Sequence, residues 1–361
     1  MEFALSEEQR LLQASVGRYL EEQSPLDRVR QATEGDETVT GDLWRGLAEL
    51  GVPGLLIPEA LGGMGLGFLD AALVYEMMGR HVAPAPFVGA CVMAPVALML
   101  AGSEAQQQNW LPKMAAGELV AGVGITETIG ARDEAGVEVR DGRLTGTALF
   151  VVDGGAADLF IVAARDGGLY LVAGEAPGLS RRTLTTIDVT RSFCELVFDA
   201  VEAEALAGSN EHVLARMLDA GRVMLAADTL GAGQMMLEKA VSYAQERKQF
   251  GRIIGSFQAV KHMCAEMAAQ LEPCRSLVWY AAYALDAVPD EARLMACHAK
   301  GHVSEVGRFV ARTATEVHGG MGFTDLLGLH YWFKRIGVDR QLLGGPEQVR
   351  HEAARLQGWA A

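Results

Sequence analysis

The sequence predicts an α+β fold, mostly α, in three segments: helical over 1–117, short-stranded over 118–207 and helical again over 208–361. Three observations predict it. Apolar residues recur at helical spacing in the first and last thirds. The texture changes after Gly117 to short β-type runs parted by turn residues. The last third holds three long helical patterns with short Gly- or Pro-containing breaks, the arrangement that makes a bundle of antiparallel neighbours.

The first segment opens on Ser6-Glu7-Glu8-Gln9, a capping box in which the Ser hydroxyl and the Gln side chain satisfy free amides of a helix start. Leu12, Val16, Tyr19 and Leu20 then share one face. Further helices are expected over Asp42–Leu50, Leu69–Gly79 and Glu104–Ala116. The longest apolar run, near Ala90–Ala101, is shorter than the ~20 residues of a membrane span and contains Pro95, so it reads as a core helix. The glycines at 63, 65 and 67 do not sit between a strand and a helix of a βαβ unit, so they read as a turn and not as a dinucleotide fingerprint.

In the middle segment Val137–Arg140 runs into Asp141-Gly142, a hairpin signal. Leu159–Ala164 is followed by Asp166-Gly167-Gly168 and Leu169–Val172, and Phe193–Phe198 closes the set. Strands this short and regular suggest a small antiparallel barrel or sandwich. The last segment carries helical patterns over Glu211–Arg247, Ser256–Ala287 and Asp290–Val317.

Composition removes several classes of function. Half of the 361 residues are hydrophobic, which excludes a disordered chain. A net charge of -15 argues against a nucleic-acid surface, because phosphate binding needs a basic face. The five cysteines, Cys91, Cys194, Cys264, Cys274 and Cys297, show no C-x-x-C spacing and read as reduced, mostly buried thiols. Met1-Glu2-Phe3-Ala4 lacks a basic n-region, so no signal peptide is expected, and the expected location is cytoplasmic. No metal-ligand constellation stands out. His262, Met263 and Met267 read as core packing, and Asp339 with Arg340 as a local charge pair.

Four segments carry a resemblance to a known family. They are Gly54–Glu59 with Gly62-Gly63-Met64-Gly65; Trp110–Lys113 through Glu118; Arg247-Lys248-Gln249-Phe250-Gly251 with Phe257-Gln258; and His318-Gly319-Gly320-Met321-Gly322-Phe323. In this order over essentially the whole chain they resemble the acyl-CoA dehydrogenases. The resemblance implies a helical N-domain, a middle antiparallel β-barrel domain and a C-terminal four-helix bundle. It implies FAD as cofactor, an acyl-CoA substrate and an electron-transfer flavoprotein as acceptor. In the family the bundle residues hold the ADP half of an FAD whose flavin lies in the neighbouring subunit, which implies a dimer-based assembly, usually a tetramer. The residues make chemical sense in that role. Arg247 offers planar donors to phosphate oxygens. Phe250 offers a face or edge to adenine. Gly319, Gly320 and Gly322 let the backbone approach an anion. Taken singly, Arg247 also reads as a surface salt bridge, Phe250 as core, and the glycines as a helix-ending turn.

The departures from the family pattern are concentrated on one side. The reaction needs a carboxylate to remove the acyl α-proton and a flavin to accept the β-hydride. The family's C-terminal base motif matches Gln341–Arg350, which puts Gly344 at the acid position; the alternative base position, before Arg222, is Gly221. Near the flavin, Thr126 and Glu127 match but the loop's Pro and Ser do not, in Thr126-Glu127-Thr128-Ile129-Gly130-Ala131-Arg132. The family's Trp-Ile-Thr becomes Phe150-Val151-Val152: Phe150 could still pack on a ring, but Val152 has no hydroxyl. A Gln before the His-Gly-Gly motif is Glu316, a carboxylate that would cost Coulomb energy beside a pyrophosphate unless compensated.

The ADP-holding motifs are thus largely intact, while the flavin and base positions are altered. That pattern resembles one kind of subunit in bacterial α2β2 acyl-CoA dehydrogenases acting on CoA thioesters of sterol side chains, which ends in a similar Leu-Leu-Gly-Gly-Pro segment. Three readings follow. The favoured one is a subunit that supplies the adenine side while a homologous partner supplies the base. The second is a self-sufficient homotetramer with a displaced base, Asp219 or Glu347, although these read more simply as a solvated helix carboxylate and a cap or surface acid. The third is a flavin-free scaffold, against which Arg247, Phe250 and the glycine motif weigh.

Overall fold

The structure is a computed structural model, and it describes residues 4–35, 37–130 and 136–360. Met1–Phe3, Ala131 and Arg132, which entered the reading of the N-terminus and of the loop after Thr126, lie outside the described residues. The helices in chain order are α1 (Glu7–Gln23), α2 (Leu26–Thr33), α3 (Glu37–Glu49), α4 (Phe68–Arg80), α5 (Ala94–Ala101), α6 (Glu104–Ala115), α7 (Glu211–Glu246), α8 (Gln258–Ala287), α9 (Pro289–His318), α10 (Leu329–Gln341) and α11 (Pro346–Leu356). The strands are β1 (Ala121–Gly124), β2 (Gly136–Arg140), β3 (Arg143–Val152), β4 (Leu159–Ala163), β5 (Leu169–Ala173), β6 (Leu179–Leu184), β7 (Phe193–Glu202), β8 (Glu204–Ala205), β9 (Lys248–Gln249) and β10 (Arg252–Ile253). This is the expected order of helices, strands and helices.

The chain divides into two compact units, one of Met1–Gly35, Ala72–Pro84 and Arg222–Ala361, the other of Asp36–Ala71 and Ala85–Gly221. The first unit is helical. The capping box at the start of α1 is present in full, with Ser6 Oγ accepting from the Gln9 amide and Gln9 Oε1 accepting from the Ser6 amide. The crossing of α4 and α7 is made by glycines. A Cβ on Gly231 would overlap the Glu76 carbonyl oxygen, and one on Gly79 would overlap that of Asp228. Two buried ionic groups tie α10 into the bundle. Arg335 donates through Nε and Nη2 to the two oxygens of Asp228, both at 2.8 Å, and through Nη1 to the Ala83 carbonyl at 3.1 Å. Lys300 on α9 donates to the carbonyls of Asp339 and Arg340, and Asp339 accepts from Thr229 at 3.0 Å.

That network corrects one expectation. Arg340 does not pair with Asp339; it turns to Glu305 and Glu347, while Asp339 is buried. A second correction concerns α8: Met267 is core, but His262 is exposed and Met263 only half-buried, so the three do not form one buried set. The cysteines are free as expected, Cys264 half-buried and the other four buried.

The second unit holds a half-barrel sheet in the order β6-β7-β3-β1-β4-β5-β8, with β2 paired to β3. All pairings are antiparallel except β1 with β4, which is parallel. Asp141 and Gly142 both take positive φ, 51° and 76°, the two-residue turn the sequence signalled. The inner face packs Val137, Leu144, Val151, Phe160, Val162, Leu196 and Phe198. Strand β3 bulges against β7 between Ala148 and Val151, and Phe150 sits in that bulge with φ 51°. The apolar run is a buried helical segment, but it is π-wound over Val88–Met93 before α5 begins. Asp153, next to Val152, caps this π-turn: its Oδ2 accepts from the amides of Phe87, Gly89 and Ala90 at 3.0, 2.7 and 3.1 Å. The glycines after Pro58 form a turn, with Gly62 left-handed and Gly63 tight against the Ile57 carbonyl.

Candidate functional site: a cleft at the end of α9 and an unarmed turn before α11

A cleft of about 460 Å³ in the helical unit is lined by Tyr243, Arg247, Gln249, Ile254 and Val317 through Met321. Its floor follows from how α9 stops. Gly319 leaves the helix with φ 57° and ψ -139°, a conformation open only to glycine, and His318 stays buried behind it. The His318 ring stacks on Tyr243 at 4.6 Å, and its Nδ1 lies 2.7 Å from the Ala314 carbonyl. Burial pushes the His318 pKa down, so the ring is neutral at pH 7. Space is open where Cβ atoms of Gly319 and Gly320 would stand, so a ligand can reach the backbone there. Gly322 is different: it is packed against the Thr315 carbonyl.

The opposite wall is the β9–β10 hairpin that ends α7. Phe250 and Gly251, both at positive φ, make its turn and hold the Phe250 ring 92% exposed at the tip, edge-on to Phe257. Phe250 is therefore not a core residue. Arg247 is exposed, with no ion pair among the described residues, which leaves its guanidinium for a ligand. Of the residues the sequence marks, Arg247, Gly319 and Gly320 line one cleft, and Phe250 stands on the hairpin beside it. Gln258 is exposed at the first turn of α8 and Glu316 is exposed on α9; neither lines it. Glu316 is compensated by Arg312 at 2.9 Å, one turn earlier. Tyr243, His318 and Gln249 also line the cleft; the sequence reading gave them no lining role, although their adjacency to Arg247 and to the glycine pair was the available signal.

The fit to a dinucleotide is uneven. Arg247 and the bare Gly319–Gly320 backbone suit a pyrophosphate, by charge and by close approach. In the sheet unit, the Thr126 hydroxyl already donates to the Leu149 carbonyl, and Glu127 accepts from the Leu149 amide. Phe150 is partly exposed and could lie against a ring, whereas Val152 is buried and offers no hydrogen bond. The ADP half fits the residues present better than the flavin half.

The turn before α11 carries no carboxylate. Gly344 has φ 104°, and a Cβ there would stand 3.3 Å from Arg222 Nη2. Arg222 is fully buried, donating through Nε to the Leu343 carbonyl at 2.9 Å and through Nη1 to Glu352 at 2.8 Å. Gly221 is buried too. Asp219 corrects an expectation: it is buried, not a solvated helix carboxylate. Glu347 is a surface acid whose pKa is lowered by its own backbone amide and by Arg340.

Comparison with known proteins gives this architecture its family. Residues 6–118 match the acyl-CoA dehydrogenase N-terminal domain and residues 212–355 the acyl-CoA dehydrogenase C-terminal domain. The chain is 30% identical over 358 residues to acyl-CoA dehydrogenase IpdE2 of Mycolicibacterium smegmatis, covering 98% of this chain and 100% of that one. Among solved structures it is similar to the Tcur3481-Tcur3483 steroid ACAD (TM-score 0.88, 32% identity, 98% of each chain). It is also similar to the ChsE4-ChsE5 complex from Mycobacterium tuberculosis (TM-score 0.91, 27% identity, 100% of each chain). These matches define an oxidoreductase acting on CH–CH bonds. The chain belongs to the acyl-CoA dehydrogenase family, whose members depend on FAD. Among the described residues no helix is long and apolar enough to cross a membrane.

Proposed function

We propose that this chain is the subunit of a heteromeric FAD-dependent acyl-CoA dehydrogenase that holds the adenine side of the cofactor and lacks a base of its own. The observation that carries the reading is the pair of glycines, Gly221 and Gly344, at the two positions where the family keeps its carboxylate. Bound FAD supplies the acceptor for the β-hydride. The residues of this chain bind and orient: Arg247 neutralises pyrophosphate charge, the Gly319–Gly320 backbone offers amides, and the exposed Phe250 ring waits for an apolar or aromatic face. A homologous partner supplies the carboxylate that takes the α-proton and the hydroxyl that Val152 lacks. The α2β2 assembly, a CoA thioester with a steroid-derived acyl group and an electron-transfer flavoprotein as acceptor belong to the same reading. It is supported by the likeness to the steroid ACAD and to a two-component complex.

One observation keeps a second reading in view. Asp219 is a buried carboxylate on α7, two residues before Gly221 at the family's alternative base position. A homotetramer using Asp219 would be active alone. The deciding experiment measures FAD per protomer and acyl-CoA-dependent dye reduction, for the chain alone and co-expressed with a homologous subunit. Little flavin and no turnover alone, with one FAD per pair after co-expression, is expected. Full flavin and turnover alone, lost in Asp219→Asn, would replace this reading with the homotetramer.

A further inference from the structure

Away from the cofactor cleft, α9 and α11 enclose a smaller hollow of about 220 Å³, lined by Cys297, His298, Gly301, His302, Arg350 and Ala353. His298 and His302 are four residues apart on one helix. That spacing puts their Cβ atoms on one face, about 5–6 Å apart. Both residues line the same hollow, and neither side chain has a hydrogen bond or ion pair among the described residues. Gly301 between them has no side chain to fill the gap. A Cβ there would stand 3.2 Å from Val349 Cγ2 and 3.6 Å from Arg350 Cγ, so α11 packs close against α9 between the two histidines.

We propose that His298 and His302 form a two-imidazole clip for a divalent transition-metal ion, with Zn²⁺ as the reference case. Imidazole nitrogen suits zinc, copper and nickel and not magnesium or calcium, whose preferred donors are oxygens. Two helical histidines at this spacing can bite one ion. No third His, Cys, Asp or Glu among the described residues completes a cage. Cys297 does not serve: the residue is 1% exposed, and its Sγ accepts from Arg222 Nη1 at 3.6 Å. The remaining coordination positions therefore belong to water or to a small anion, which Arg350 on the facing wall would attract. Arg350 also repels the bare cation, so the clip is weak as built and has an obvious route to becoming stronger. An anion alone is the poorer occupant, since Arg350 would be its single formal charge among the lining residues.

The test is calorimetric titration of the full-length, chelator-treated chain with ZnCl₂, with circular dichroism confirming the fold of every variant. One Zn²⁺ per chain is expected. His298→Gln and His302→Gln should each weaken binding at least about tenfold, given what loss even of an outer-sphere partner costs a metal site. Arg350→Glu supplies a third ligand and should tighten binding, while His262→Gln, at an exposed position on α8, should leave it unchanged. Zinc heat that survives in the double variant His298→Gln/His302→Gln, or that vanishes in His262→Gln, overturns the proposal. So does an Arg350→Glu chain that binds more weakly, or a hollow that takes up inorganic phosphate and no zinc.

Discussion

Asp228 and Arg335 make the sharpest prediction about stability, because both side chains are fully buried and face each other through two hydrogen bonds of 2.8 Å. Replacing Asp228 by Asn keeps the shape, removes the charge and turns one acceptor into a donor aimed at a guanidinium. Arg335 then keeps the Ala83 carbonyl but loses its counter-charge. Each hydrogen bond to an ionised partner contributes about 1.5–3 kcal/mol, and breaking a buried pair costs about 3–5 kcal/mol, so Asp228→Asn should lose about 3 kcal/mol or more. At about 2–4 °C per kcal/mol for a unit of this size, the melting midpoint falls by roughly 6–12 °C. Scanning calorimetry reads the midpoint, and urea titration reads the free energy of the helical unit. The double replacement Asp228→Leu/Arg335→Met should recover most of the loss, because no buried charge is stranded. A shift below about 1 kcal/mol in the single variant would refute the reasoning, since it would mean that the buried guanidinium does not depend on this carboxylate.

Further predictions concern pH, the cleft at the end of α9 and a turn. His81 is pushed down to about 4, by burial first and by Arg80 second, while an unfolded histidine titrates near 6.5. The folded chain therefore refuses a proton that the unfolded chain accepts: the contribution is complete above pH 6.5 and is lost as pH falls toward 4. It amounts to about 1–3 kcal/mol once screening of the half-buried ring is allowed for. Urea midpoints of His81→Gln should accordingly fall less steeply than those of the parent over that window. Arg247→Ala should weaken FAD retention about tenfold to a hundredfold with little change in melting midpoint, measured by flavin fluorescence after dialysis of the assembled enzyme; a matching loss of stability would make Arg247 structural. Gly142→Ala, at φ 76° in the β2–β3 turn, should cost about 1–2 kcal/mol in urea unfolding.

How much of this was legible in the sequence depended on whether the signal was local. The capping box, the Asp141-Gly142 turn and the bounds of α7, α8 and α9 are set by residues near them in the chain, and they match within one or two positions, the start of α8 included. Helix α3 starts at Glu37, five residues before the expected Asp42, and its added first turn buries Val39 in line with Leu43 and Leu47. Strand β6, Leu-Ser-Arg-Arg-Thr-Leu, shows too little apolar alternation to be read as a strand; it exists because β7 offers it an edge. Strand β1 holds two glycines in four residues, and its parallel partner β4 comes from 38 positions later. The same division holds at the site. Arg247 and the glycine pair announced themselves by motif, whereas the burial of Asp219 and the compensation of Glu316 by Arg312 needed coordinates. Helices α10 and α11 were not legible as elements because each is short, 13 and 11 residues, and the Gly344-Gly345-Pro346 break parts them.

The α4–α7 crossing has a bearing on what this protein can become. At Gly79 and Gly231 a methyl group would strike a carbonyl of the opposing helix, not a side chain. A clash with a side chain can be relieved by trimming that side chain, so a lineage can cross such a barrier in two steps. A carbonyl is the same whatever residue carries it, so no second-site change at Glu76 or Asp228 opens room for alanine. Saturation mutagenesis should find both positions closed to all other residues in every genetic background. The helices that carry them should therefore drift around this crossing while its two glycines stay still.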